Sequence, residues 1–346
     1  MKAYNLEVWD RDFSIVDHGE ISMPRYSIDY LSYGKNNMER SVTSASYGDY
    51  VRICGDENQY YTGIINSIAG DNKKVKISYV DWMQLLDVDI LIDQELLETK
   101  TLENFIAHHI IKTYRNNSDS SQNIPGLAVE ILSVTEGATL EFEGSICNFY
   151  DSVIIPSIKK YGVVVSFDLN VDKKELRVKI GRSILGCKTI EADLPNCIVN
   201  NFVIKKTKKT VNKIIVYNEE DYSQTVEWYR NNRGEITDID SDRIVPVEFQ
   251  VTTAKASGDK TFEEMAEKKA RNLLEFAEYE NLIELEFEID DVLVNPMDMV
   301  IGQEAIIIHD NVQYSTYLTG KKVNDKVILI FGNIREELTK ILKGRG

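Results

Sequence analysis

A stretch near the start of this chain occurs again near its end, and that repetition limits the folds open to it more than any other feature. Residues 48–78 read GDYVRICGDENQYYTGIINSIAGDNKKVKIS, and residues 302–331 read GQEAIIIHDNVQYSTYLTGKKVNDKVILIF. Aligned with a short gap, Gly48 falls on Gly302, Asp56 on Asp310, Gln59-Tyr60 on Gln313-Tyr314 and Thr62 on Thr316. Val75 and Ile77 fall on Val327 and Leu329. In each copy a glycine opens an apolar strand, Asp and Asn residues turn it, and a Tyr/Thr strand returns. A polar turn and a third apolar strand complete the unit. The chain is therefore expected to carry two similar β-domains, one near each end.

At 346 residues the chain exceeds one comfortable core, which implies several domains. No segment approaches the roughly 18 apolar residues of a membrane helix. The N-terminus enters an alternating strand pattern directly, without a signal segment, which places synthesis and folding in a cytoplasm. Cys54, Cys147, Cys187 and Cys197 are scattered, form no C-x-x-C pair, and read as buried free thiols. The net charge of −16 excludes nucleic-acid binding by the general surface but suits a surface that nucleic acid must pass without sticking.

Residues 1–98 read as all-β. Beyond Thr99 the period becomes helical: Leu102, Phe105, Ile106, His109, Ile110 and Thr113 share a face, with Thr101 as cap. Strands are expected at 127–134 and 139–142, and a helix at 146–161, kinked at Pro156 and ended by Gly162. A hairpin at 162–180 completes an α/β middle layer. Strands return at 197–205 and 210–218, before a charged, loop-rich stretch from 219 to 243. Thr261 and Glu264 form a capping box opening a helix whose face is Phe262, Met265, Ala266, Ala270, Leu273 and Ala277. Alternation at 282–289 marks a strand with Leu285, Phe287 and Ile289 on one side. A helix at 334–342 follows the second meander.

Signatures of catalysis are mostly missing. P-loop, dinucleotide-binding, zinc-protease and nucleophile-elbow motifs do not occur, and around Ser183 the second glycine comes one place late. Of His18, His108, His109 and His309, the adjacent pair points about a hundred degrees apart on a helix and cannot share a metal; His109 reads as a core residue. Asp238, Asp240 and Asp242 start like a calcium loop, but Arg243 replaces the turn glycine and Phe249 the bidentate acid. Glu141 with Glu143, and Glu284 through Asp290, read as solvated strand faces. Lys205, Lys206, Lys208, Lys209 and Lys213 form a basic cluster that suits a protected edge strand or an acidic partner. No catalytic, cofactor-binding or metal-binding residue is expected.

Four stretches give the chain a resemblance to the baseplate hub proteins of bacteriophage tails. They are LEVWDRDF at 6–13; GDYV at 48–51 with YTGII at 61–65 and LLD at 85–87; the helix-to-hairpin passage 149–180; and LIFGNIREELTKILK at 329–343. The family comprises the tail-associated hub of siphophages and the central hub of contractile tails. The resemblance implies an α+β, mainly β fold in which two tail-tube-like β-barrel domains flank α/β insert domains. The barrels would be residues 1–99 and a discontinuous 183–218 plus 284–346. Residues 100–182 would form an α/β domain and 219–283 an insert with a loop and a long helix. It further implies a non-enzymatic structural hub, a homotrimeric ring adapting a six-fold tube to a three-fold tip in a phage or phage-like virion tail. Expected partners are the distal tail ring, the tape-measure protein and tip or fibre proteins, with DNA passing the lumen unbound. Many siphophage relatives continue into a peptidoglycan-degrading or receptor-binding region that this sequence does not include.

Two other readings remain at this level. One is a tail-associated peptidoglycan hydrolase or glycosidase using Glu141 or Glu286. The other is a carbohydrate-binding module for the host wall, with Trp82, Trp228 or Tyr229 as stacking platforms.

Overall fold

The computed structural model describes residues 4–31, 35–40, 43–55, 58–70, 74–93, 96, 100–135, 138, 140, 142, 145–204, 211–231, 236–240, 248–256, 261–274 and 281–332. In chain order the first region supplies β1 (Tyr4–Trp9), β2 (Ile15–Ile21), β3 (Tyr26–Asp29), β4 (Lys35–Arg40), β5 (Tyr50–Gly55), β6 (Asn58–Gly70), β7 (Val75–Asp81) and β8 (Asp89–Leu91). The middle region supplies α1 (Leu102–Tyr114), β9 (Leu127–Ile131), β10 (Ile146–Asn148), α2 (Ile155–Tyr161), β11 (Val164–Asn170) and β12 (Glu175–Gly181). Then come β13 (Lys188–Glu191), β14 (Ile198–Ile204), β15 (Val211–Asn218), β16 (Thr225–Arg230), β17 (Ile236–Thr237), β18 (Glu248–Ala254) and α3 (Phe262–Leu274). β19 (Asn281–Glu288), β20 (Glu304–His309), β21 (Val312–Val323) and β22 (Lys326–Phe331) close the described chain. The fold is mainly β.

The repeated stretches fold alike. One sheet has the order β2-β1-β5-β6-β7-β4 and another β13-β20-β21-β22-β19-β14, so β4–β7 and β19–β22 form equivalent four-strand units. Hydrogen bonds repeat across them. Gly48 N–H donates to Ile65 O at 2.9 Å and Ile65 N–H to Asp49 O at 2.8 Å; Gly302 N–H donates to Leu318 O at 2.7 Å and Leu318 N–H to Gln303 O at 2.9 Å. Both glycines have positive φ, +86° and +83°, the conformation that favours a residue without Cβ. Both middle strands bulge, between Ile65 and Ser67 in one and between Leu318 and Gly320 in the other. The sequence alignment slips in one place. An extra bulge in β6 leaves Tyr60 unpaired, so Tyr61, opposite Ile53, is the counterpart of Tyr314, opposite Ile307, and Thr62 corresponds to Ser315.

The two sheets share one hydrophobic core, with Leu6, Val8, Ile53, Tyr61 and Ile77 from the first and Leu285, Ile307, Leu318 and Leu329 from the second. Alternation explains this, because period-two strands send every second residue to one face. β3 ties the sheets together: it follows β2 in sequence yet pairs with β21, Tyr26 against Val323 and Asp29 against Gly320.

The middle region packs α1 and α2 with the sheet β11-β12-β9. Thr101 caps α1, its side chain accepting from Asn104 N–H. The helix expected at 146–161 is shorter. Its first residues form β10 against β8, and a π-helical turn over Tyr150–Ile154 precedes α2. Pro156, in the first turn of α2, has no N–H to donate to Ser152, and the widened turn accommodates that loss. Gly162 ends α2 at φ +66°, as its position predicts.

A third core lies around α3, where Phe262, Ala266, Ala270 and Leu274 meet Ile214, Val216 and Trp228. The capping box is formed: Thr261 N–H donates to Glu264 Oε2 at 2.8 Å, and Glu264 N–H to Thr261 Oγ1 at 3.3 Å. β15, expected in the second barrel, is instead an inner strand of this unit's sheet β17-β16-β15-β18. Its buried Ile214 and Val216 face α3, which decides its partners. Ala277 and residues 334–342 lie outside the described residues.

Candidate functional site

Where the two sheets meet the middle region, a cleft of about 690 Å³ is lined by four short backbone runs, 58–62 of β6, 164–168 of β11, 181–185 after β12, and 297–301 before β20. Its walls are aromatic. Trp82 stacks on Phe167 with ring centroids 5.9 Å apart and donates its indole N–H to Thr62 Oγ1 at 3.1 Å. Tyr30 accepts the Val165 N–H at 2.7 Å.

Two buried ionisable groups line the same cleft. Asp81 accepts the Met83 N–H at 2.9 Å, and burial pushes its carboxyl up to about 6. Lys321 donates Nζ–H to Met297 O at 2.8 Å, and burial pulls its ammonium down to about 7, opposed by the charge of Asp298. Among the described residues no carboxylate lies within ion-pair distance of Lys321. Gln59 donates to Asp168 Oδ1 at 3.1 Å, while its buried Oε1 has no partner among the described residues. Lys179 Nζ pairs with Asp168 Oδ2 at 3.1 Å. The cleft combines apolar walls with a few separated polar groups, the composition of a binding site.

The residues singled out from the sequence do not gather here, with the exceptions of Trp82 and Ser183. Ser183 accepts the Leu185 N–H at 3.3 Å as part of a turn. Trp82 is 1 % exposed, and Trp228 and Tyr229 are buried, so the three cannot serve as open stacking platforms. Trp228 is covered by the Arg271 guanidinium, 5.0 Å from its ring centre. Glu286 accepts from Asn200 and pairs with Lys326 at 3.0 Å, which hold its carboxyl below its ordinary value and keep it ionised. Glu141, Glu143, Asp56, Asp242, Arg243, Lys205, Lys206, Lys208 and Lys209 lie outside the described residues; Lys213 pairs with Glu227 at 2.7 Å. Asp238 and Asp240 are exposed, and so are His18 and His108. His109 is buried, and burial lowers its imidazole to about 4, so it is neutral in the core; its Nε2 has no partner among the described residues. Of the four thiols expected to be buried, Cys54 is buried, Cys147 and Cys197 are half-buried, and Cys187 is exposed because it sits in the loop before β13.

One cluster could offer a metal three ligand atoms: Asp193, His309 and Asp310, all within 4.8 Å of one another. These groups already bond one another. His309 Nδ1 lies 2.5 Å from Asp193 Oδ1, and Asp310 N–H donates to Asp193 Oδ2 at 2.9 Å. Asp310 and Asn311 have φ of +51° and +61°, so Asp193 caps the tight turn between β20 and β21.

The sequence showed none of the cleft's buried charges. Asp81 sits at a strand end and Lys321 within a Lys-Lys pair, both patterns that read as surface.

No protein-family model matches the chain, and no curated protein matches it. Solved structures do. A tail protein from Neisseria meningitidis MC58 aligns with TM-score 0.52 at 11% identity over 95% of this chain and 96% of its own. The 43 kDa tail protein of prophage MuSo2 from Shewanella oneidensis aligns with TM-score 0.53 at 13% identity over 96% of this chain and 98% of its own. The chain thus has the fold of phage tail proteins.

Proposed function

We propose that this chain is a structural hub at the tip of a phage or phage-like tail. Three copies close into a ring, and the two β-units of each copy present six similar faces to a six-fold tube, while the three-fold ring carries tip proteins or fibres. The repeated meander carries this reading: two units with the same hydrogen bonds, bulges and glycine turns in one chain are what such a symmetry adapter requires. The tail proteins that share the fold along almost their full length support it. In this reading residues 1–99 and 183–204 with 281–346 supply the two tube-like barrels, β15 having gone to the unit around α3. Residues 100–182 and 211–274 form outer domains, and the acidic surface lets DNA pass unbound. The distal tail ring and the tape-measure protein are the expected neighbours.

The wall-binding reading loses ground, since the three aromatics are buried, and so does the hydrolase reading at Glu286, which Lys326 and Asn200 hold ionised; its other residue, Glu141, lies outside the described residues. The test is light scattering on the purified chain, alone and mixed with the distal tail ring protein. A mass three times 39.6 kDa for the chain alone, or a complex holding three copies of the chain in the mixture, is expected. A monomer in both, at high micromolar concentration, overturns the ring.

A further inference from the structure

We infer that the cleft between the two sheets and the middle region receives an extended, acidic segment of a partner protein, which pairs with the edge of β11 at Phe167 and places a carboxylate on Lys321. β11 is the end strand of its sheet. It pairs with β12 in antiparallel register without a bulge, Val165 opposite Ile180 and Phe167 opposite Val178. The Val165 N–H donates to Tyr30, not to β12, so this residue belongs to the alternating set whose backbone points away from the partner strand. Phe167, two residues on, belongs to the same set. Among the described residues its N–H and C=O have no partner on that side. Unspent strand edges of this kind accept an added strand.

The surroundings select the segment. Residues 164–168 line the cleft for roughly 15 Å at ~3.3 Å per residue, room for about five residues of extended chain; Tyr30 already holds the Val165 N–H, so the backbone pairing falls at Phe167. Phe167, backed by the buried Trp82, forms an apolar wall for side chains, and exposed Ile184, Leu185 and Val300 extend it to the mouth. Lys321 is 5% exposed and spends one N–H on a backbone carbonyl. A buried ammonium without a counter-ion is costly, and an incoming carboxylate supplies one. An acidic side chain on an extended strand meets both demands at once. The inference holds whether or not the chain forms a ring.

The probe is the capped pentapeptide acetyl-Thr-Val-Glu-Val-Thr-amide, with its Gln counterpart as control, titrated into the full chain by calorimetry and by indole fluorescence. Hydrogen exchange reports the Phe167 amide. The expected result is saturable binding of the Glu peptide, about tenfold or more tighter than the Gln peptide, with the Phe167 amide slowed. In Lys321→Met the preference for Glu disappears. Leu185→Glu, at the exposed rim, weakens the Glu peptide in a chain whose interior is untouched, so the inference stays testable if the Lys321 variant fails to fold. No binding at millimolar peptide overturns the inference. So does equal affinity for the two peptides, or binding that leaves exchange at Phe167 unchanged.

Discussion

The two meanders repeat one backbone pattern but bury different kinds of side chain in the core they share. In the first, tyrosines dominate: Tyr61 packs against Tyr26 and Tyr79 with ring centroids 5.4 and 5.5 Å away, and Asn36 donates to the Tyr61 hydroxyl. In the second, Leu285, Leu318, Leu329 and Phe331 fill the equivalent space. The outer neighbour differs as well, since β1 runs antiparallel to β5 and β13 runs parallel to β20. What persists is the glycine turn, the bulge and the register. Backbone hydrogen bonding therefore defines the unit, and side-chain chemistry is free to diverge around it.

Equivalent substitutions in the two copies probe that statement. The largest contrast is expected at the glycines. A Cβ on Gly302 would lie 2.6 Å from Val164 Cγ1, a methyl of a stiff β-branched side chain of the middle region, whereas one on Gly48 would meet only the end of the Arg11 side chain at 2.6 Å. Gly302→Ala should cost roughly 2–3 kcal/mol, backbone strain plus overpacking, and Gly48→Ala about 1 kcal/mol. Denaturant unfolding of both variants measures the difference, and equal losses would mean that Val164 yields.

The bulges come next. Thr319 donates its hydroxyl to Ile330 O at 3.2 Å and Gly332 O at 2.7 Å, while the buried Oδ1 of Asn66, its counterpart, has no partner among the described residues. Thr319→Val should lose about 1 to 1.5 kcal/mol, and Asn66→Ser less. Thermal melts of the two variants test the order.

The smallest effect at neutral pH is expected at the next equivalent pair. Lys321 occupies in β21 the place of Ile68 in β6, opposite Leu329 and Ile77 respectively. Burial holds the Lys321 ammonium down at about 7 against an ordinary 10.5, so the folded state binds that proton more weakly than the unfolded one. The contribution of Lys321 to stability should therefore fall as pH drops from about 10.5 to about 7 and stay level below that. Lys321→Met should be as stable as the native chain or about 1 kcal/mol more so at pH 7. Its advantage should shrink as pH rises toward 10. An advantage that does not vary with pH would show that the ammonium is not desolvated.

The repeat was legible because turn glycines and alternating strands are local signals, and so were Thr101, Gly162 and the Thr261–Glu264 box. The slip at Tyr60 was not, since a bulge adds a residue without changing composition. The placement of β15 was not either. Its alternation says that one face is buried, but only α3 decides which sheet it joins. The cleft escaped for the same reason. Its parts come from β6, β11, β21 and the loop before β20, and no spacing in the sequence links Asp81 to Lys321.

The pairing of β3 with β21 also constrains the order of events on the ribosome. Tyr26 leaves the exit tunnel early, yet its strand partner Val323 is made close to the end of the described chain. Until then the first sheet can form its own ladder, but the face it shares with the second stays open to water. Closing so long a loop carries an entropic cost and slows the final step. The nascent chain must therefore keep Leu6, Ile53 and Ile77 from premature association, and a delay near the 3′ end of the message would prolong that exposure.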